Sequence, residues 1–129
     1  METSPDSARP SVLLVDDEML IRRVFSRMIR CAVVEAVGTA EEAIQRLDEH
    51  TYDAILCDLS LPGLPAHKFY ERLKNEGQGL HNRFAVVTGG ATSVEHEKFL
   101  ATSKVPVVMK PTTPDVLNNL VQTLIRSSA

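Results

Sequence analysis

Five residues carry the chemistry open to this chain: Asp16, Asp17, Asp58, Thr88 and Lys110. Each stands where a short apolar run stops. Val12-Leu13-Leu14-Val15 ends at Asp16-Asp17-Glu18, Tyr52 to Cys57 ends at Asp58, Phe84 to Val87 at Thr88, and Val105 to Met109 at Lys110. Runs of this length bounded by Pro62-Gly63, Gly89-Gly90 or Pro111 read as buried strands followed by loops. An aspartate before a turn often does no more than bond nearby backbone amides, and Asp58 alone favours that reading. Three carboxylates brought together repel one another unless a cation joins them, and all-oxygen donors suit a hard ion such as Mg²⁺, which retains waters and takes phosphate oxygens. A lysine adds a compact positive charge and a threonine a neutral donor, which is what a phosphoryl group with charge spread over its oxygens requires. Asp58 is the expected phosphoryl acceptor.

The elements that must position these residues alternate between two periods. After the first strand, Ile21, Val24, Phe25 and Met28 form an apolar helical stripe, with Arg23, Arg27 and Arg30 on another face. Ala32 to Ala36 reads as a short strand. Thr39-Ala40-Glu41-Glu42 predicts a capping box, and Ala40, Ala43, Ile44 and Leu47 continue a second helix. Ala66, Phe69, Tyr70 and Leu73 give a third, ending near Asn75-Glu76-Gly77. Residues 92 to 101 read as a fourth helix with no clean apolar face. In the fifth strand Pro106 fits an edge position, where a missing donor harms no ladder. Thr113 as N-cap and Pro114 in the first turn open a last helix that buries Leu117, Leu120, Val121 and Leu124. Five strands alternating with five helices predict an α/β fold, one parallel sheet covered on both sides. Its C-terminal strand ends lie along one edge and gather the five residues.

A length of 129 residues with 43% hydrophobic content suits one domain with one core. A net charge of -3 gives no footprint for nucleic acid or an anionic membrane, and no apolar run is long enough to span a bilayer. Residues 1–10 lack the apolar stretch of a secretory signal and read as a flexible leader or the end of a linker, which places the protein in the cytoplasm. Cys31 and Cys57 lie beside or inside apolar runs and read as reduced thiols. His50, His67, His81 and His96 lack metal-ligand spacing and read as solvated surface residues.

The chain resembles the receiver domains of bacterial two-component response regulators and hybrid sensor histidine kinases. The resemblance runs from Ser11 to the last helix. Its motifs are Val-Asp-Asp-Glu at Val15 to Glu18, Asp58-Leu-Ser-Leu-Pro-Gly, Thr88-Gly-Gly and Lys110-Pro111, in the family's order and with closely similar spacing. It implies a flavodoxin-like sheet of order 2-1-3-4-5 and a receiver domain over residues 11–127. It implies Asp58 as phosphoacceptor, Mg²⁺ held by Asp17, Asp58 and the Ser60 carbonyl, and Asp16 acting through a water. Thr88 is then expected to hold a phosphoryl oxygen after the switch, Lys110 to pair with the phosphate, and the Lys110–Pro111 peptide to be cis. The implied donor is a histidine kinase or a histidine phosphotransfer domain that meets the first helix and the loops beside Asp58, and output is by docking. Such a module loads and loses its phosphoryl group itself and has kinase activity only as part of a larger hybrid kinase.

Four positions depart from the family pattern: the short Arg30-Cys31 connection, Ala66 for glycine, Thr112 for phenylalanine and Val107 for an aromatic ring. They bear on how the signal is read out. Two other readings compete. A metal-dependent phosphohydrolase using an aspartyl-phosphate needs an acid two positions after its nucleophile, where this chain has Ser60. A receiver-like docking domain that is never phosphorylated would have no need of the acids and the lysine.

Overall fold

The computed structural model describes residues 9–91 and 93–126. Most of the expected leader and the expected domain end at residue 127 lie outside them. Strands β1 (Ser11–Val15), β2 (Val33–Val37), β3 (Ala54–Cys57), β4 (Phe84–Thr88) and β5 (Val107–Met109) alternate with helices α1 (Met19–Met28), α2 (Ala40–Glu49), α3 (Ala66–Glu76), α4 (Val94–Ser103) and α5 (Pro114–Arg126). A single 3-10 turn, Leu80–Arg83, leads into β4. The strands form one parallel sheet in the expected order, β2-β1-β3-β4-β5.

Because side chains alternate along a strand, the sheet divides its apolar residues between two cores. Leu13, Val15, Ile55, Cys57, Phe84 and Val86 meet Ala40, Ala43, Phe69, Leu73 and Phe99 of α2, α3 and α4. Val12, Leu14, Ala54, Leu56, Ala85 and Val87 meet Phe25 of α1 and Leu117, Leu120, Val121 and Leu124 of α5. Strands covered on both faces need no polar alternation, which is why they read as plain apolar runs.

The helix signals act largely as expected. Thr39 Oγ1 accepts the Glu42 N–H at 3.0 Å, and Glu42 Oε1 accepts the Gly38 N–H at 2.9 Å, one residue farther back than in the usual capping box. Thr113 Oγ1 accepts the Val116 N–H at 3.3 Å. At the end of α3, Gly77 takes φ 74°, a left-handed cap that glycine adopts without steric cost.

Three expectations are corrected. Val24 is 37% exposed, because α1 shares its side of the sheet with α5 and turns a narrower stripe inward, Phe25 fully and Ile21 and Met28 in part. Helix α4 begins at Val94, capped by Ser93 Oγ, which accepts the His96 N–H at 3.1 Å; Thr92, the expected start, lies outside the described residues. Phe99 is the one buried side chain of α4. Strand β5 is shorter than expected, and Pro106 stands just before it with its carbonyl accepting the Val86 N–H at 2.9 Å.

The short α1–β2 connection has its own support. Asn118 of α5 accepts the Arg30 and Cys31 N–H groups on Oδ1 at 2.9 and 3.1 Å, and its Nδ2 donates to the Met28 and Pro114 carbonyls at 2.9 and 2.7 Å. One amide thereby satisfies two loop N–H groups and the Met28 carbonyl, which the C-terminus of α1 leaves open. Both cysteines are free thiols, and among the described residues no helix is long and apolar enough to cross a membrane.

Candidate functional site

Three ladder bonds that run one residue past the strands set the site. The Asp16 N–H donates to the Val37 carbonyl at 3.1 Å, the Asp58 N–H to Val15 at 3.0 Å, and the Lys110 N–H to Thr88 at 2.8 Å. Asp16, Asp58 and Lys110 are thus each held by the neighbouring strand. Asp16, Asp58 and Thr88 are buried and Asp17 is exposed. One carboxylate oxygen from each of Asp16, Asp17 and Asp58 lies within 4.8 Å of the others.

Lys110 closes the cluster. Its Nζ donates to Asp16 Oδ2 at 2.6 Å and to Asp58 Oδ2 at 3.4 Å, with Glu18 Oε1 at 3.9 Å. Burial alone would lower the lysine's pKa. The hydrogen bond to Asp16 and the charges of Asp58 and Asp16 outweigh it and hold the pKa above the ordinary value, so the ammonium stays charged. The Lys110–Pro111 peptide is cis, as expected.

The backbone around the acids is pinned as well. Asp16 Oδ1 accepts the Glu18 N–H at 2.9 Å, and Arg22 Nη1 donates to the Asp16 carbonyl at 2.8 Å. Sequence gave no signal for Arg22, because its partner is a backbone oxygen that any residue carries. Ser60 is exposed between the buried Leu59 and Leu61, so two core anchors present its backbone on the loop after Asp58. Behind the acids, burial and then the charges of Asp58 and Asp16 push the Cys57 thiol's pKa well up, which makes it a neutral packing group.

Of the candidates outside the site, His50 is exposed as expected, and His67, His81 and His96 are half-buried rather than solvated. The His67 and His81 rings lie 6.3 Å from Phe99 and 5.9 Å from Tyr70, part of an aromatic cluster with Phe84 that joins α3, β4 and α4. Val107 is 39% exposed and pairs with Val86, whereas Met109 stands opposite Thr88.

Carboxylates and a lysine gathered at the C-terminal strand ends of a doubly wound parallel sheet define a flavodoxin-like domain with a charged-ligand site at its upper edge. The sequence matches the response regulator receiver domain over residues 12–122, and the chain belongs to that family. It is 29% identical over 120 residues to the two-component response regulator PhoP of Pseudomonas aeruginosa, covering 92% of this chain and 52% of that protein. To the gliding motility regulatory protein of Myxococcus xanthus it is 34% identical over 74 residues, 56% of this chain and 10% of that one. The chain therefore spans only part of the length of these relatives. The crystal structure of a CheY-like response regulator receiver domain from Methanospirillum hungatei JF-1 shares the fold with a TM-score of 0.79 at 24% identity, over 93% of this chain and 97% of that one. The chain is therefore a receiver domain of the two-component type, a class in which response regulators work with histidine kinases.

Proposed function

We propose that Asp58 is the phosphoacceptor and takes its phosphoryl group from a phosphohistidine, on a histidine kinase or a histidine phosphotransfer domain. The observation that carries this reading is the meeting of three carboxylates within 4.8 Å beside one charged lysine. The donor set is all oxygen and fits a hard cation, so Asp17, Asp58 and the Ser60 carbonyl would hold Mg²⁺, with Asp16 reaching it through a water. When bound, the cation offsets the repulsion between the carboxylates and the incoming phosphoryl oxygens.

The chain's own residues do the rest. An Asp58 carboxylate oxygen bonds to phosphorus as the phosphorus–nitrogen bond of the donor breaks, and the electron pair leaves on the imidazole. Lys110 meets the new charge by exchanging its 3.4 Å contact with Asp58 for a phosphoryl oxygen, while the 2.6 Å bond to Asp16 keeps the ammonium in place. Thr88 offers its hydroxyl to another phosphoryl oxygen. Loss of the group to water is the same site's slower reaction, and Ser60 in place of an acid leaves no group to turn it into a hydrolase of outside esters.

The donor protein docks on α1, where Met19 and Leu20 are 62% and 71% exposed next to the acids and Arg23 and Arg27 lie farther along. Output is by docking of residues 11–127 as a unit, in the cytoplasm. The test is labelling with a small phosphodonor and Mg²⁺, with the modified residue located by mass spectrometry. Label should appear on Asp58 and vanish in Asp58→Asn, and Asp17→Asn should weaken Mg²⁺ binding; full labelling of Asp58→Asn elsewhere overturns the assignment. Arg23→Glu with Arg27→Glu should slow transfer from a protein donor and leave the small donor unaffected, and an unchanged protein-donor rate removes α1 as the docking face.

A further inference from the structure

We propose that Glu41 is a positioning residue for the phosphorylation site: from the first turn of α2 its carboxylate holds the loop after Asp58 and, through it, the Ser60 carbonyl. The inference rests on the proposed role of that loop in holding the cation. The loop's first half needs no help, because Leu59 and Leu61 are buried in the core on either side of Ser60. Its second half is anchored less deeply, by Leu64, which packs against the core only in part. Pro62 and Gly63 are exposed, and Leu64 and Pro65 are only half-buried before α3 begins at Ala66.

Glu41 reaches this second half from 23 residues away. Its Oε2 accepts the Leu64 N–H at 3.1 Å. Gly63, at φ 73°, lies directly against the same carboxylate: a Cβ there would stand 2.7 Å from Glu41 Oε2 and 3.3 Å from its Cδ. An aimed amide and a residue without a side chain thus converge on one carboxylate, and glycine suits the site both by its left-handed backbone and by the room it leaves. The support for Glu41 is firm in turn, since the Thr39 cap and the Glu42 bond to the Gly38 N–H fix the first turn of α2. The Ser60 carbonyl is then braced from both directions, by leucines before and after it and by Glu41 farther on. Glu41 touches neither cation nor phosphoryl group, so it acts on how often the loop presents its carbonyl, and binding equilibria are where it shows. By linkage the effect runs both ways, and Mg²⁺ should protect the Leu64 amide from exchange.

The experiment compares wild type, Glu41→Ala and Glu41→Gln by Mg²⁺ titration calorimetry, amide hydrogen exchange at Leu64, small-donor labelling and urea unfolding. Loss of one exposed, charge-assisted hydrogen bond predicts an Mg²⁺ Kd about three- to tenfold weaker in Glu41→Ala, with faster Leu64 exchange and an almost unchanged unfolding midpoint. Glu41→Gln keeps an acceptor and should stay within about twofold of wild type. Gly63→Ala should weaken Mg²⁺ binding, and less so in the Glu41→Ala background, where the 2.7 Å clash is gone. A wild-type Kd in Glu41→Ala overturns the proposal, as does a Glu41→Gln as weak as alanine, which would make Glu41 a simple counter-charge. Wild type that neither binds Mg²⁺ nor takes label sinks the reading of the site itself, a different result from labelled wild type with an indifferent Glu41→Ala.

Discussion

Asp58→Asn should make the metal-free protein more stable. With carboxylate oxygens within 4.8 Å of each other and an effective dielectric of about 20, Asp16 and Asp58 repel by about 3.5 kcal/mol or more. Asp17 is exposed and adds roughly half as much. Against these stands the attraction of Lys110 for Asp58 at 3.4 Å, about 5 kcal/mol on the same scale. The pair interactions nearly cancel, so what decides the sign is the cost of keeping a carboxylate at 7% exposure. An asparagine has no such cost and still offers Lys110 an oxygen, and neutralising a buried charge of this kind is worth about 2 kcal/mol. For a chain of this size that is about 8 °C in Tm. Lys110→Met should move the other way by about 3 kcal/mol, because it leaves buried carboxylates without a partner. Urea and thermal unfolding followed by circular dichroism in a chelator, then with added Mg²⁺, measure both. Mg²⁺ should stabilise wild type more than Asp58→Asn and so narrow or reverse their order. A chelated Asp58→Asn less stable than wild type, or an equal Mg²⁺ response in both, refutes the account of the site as three acids held against their repulsion.

Asn118→Ala should cost about 2 kcal/mol, counting only the part-buried bonds to Cys31 and Met28 and leaving the exposed ones to water; a change below about 0.5 kcal/mol in urea unfolding would show that solvent replaces all four. Native protein treated with a thiol reagent should be modified at Cys31 before Cys57, which is fully buried, and peptide mapping reads the order. Stability should fall at alkaline pH: the folded pKa of Cys57 lies above the unfolded value, so its contribution is complete below about pH 8.5 and declines above it, a decline that Cys57→Ala should reduce. On phosphorylation the backbone from Thr88 through Gly90, toward Thr92, should shift and carry Met109, whose Cε lies 3.6 Å from the Cβ position of Gly90, while Val107 keeps its rotamer; paired spectra showing a change centred on Val107 with a still Thr88 loop would reverse that assignment.

The acid site was legible because each of its residues ends an apolar run, and parallel strands place their ends on one edge. Asp16, Asp58 and Lys110 needed only the strand boundaries to be right within a residue, and the ladder bonds one step beyond each strand made them so. What stayed hidden were side chains whose partners are backbone groups far along the chain. Glu41 bonds an amide 23 residues away, and Asn118 bonds two amides 87 and 88 residues away. No residue type marks such an amide as a target. Val24 was misplaced for a related reason: a 3.6-residue period shows where an apolar stripe lies but not how much of it a neighbouring helix leaves uncovered. His67 and His81 were read as solvated because their packing depends on Tyr70 and Phe99, and only the fold brings those rings to them.

Helix α4 has one buried side chain, Phe99, its ring 5.3 Å from that of Tyr70, with Leu100 packed on the core only in part. In the language of amide exchange, such a helix is its own small cooperative unit, opening at a free energy well below that of the sheet it covers. Asp16, Asp58 and Lys110 are bonded through their amides to β2, β1 and β4, and Lys110 to Asp16, bonds that α4 does not share. An opening of this helix would therefore leave the cluster of acids and Lys110 assembled. A partner that selects an open form of α4 would then feel the state of the loop after Thr88 at the cost of one core side chain, Phe99, with the sheet itself left intact.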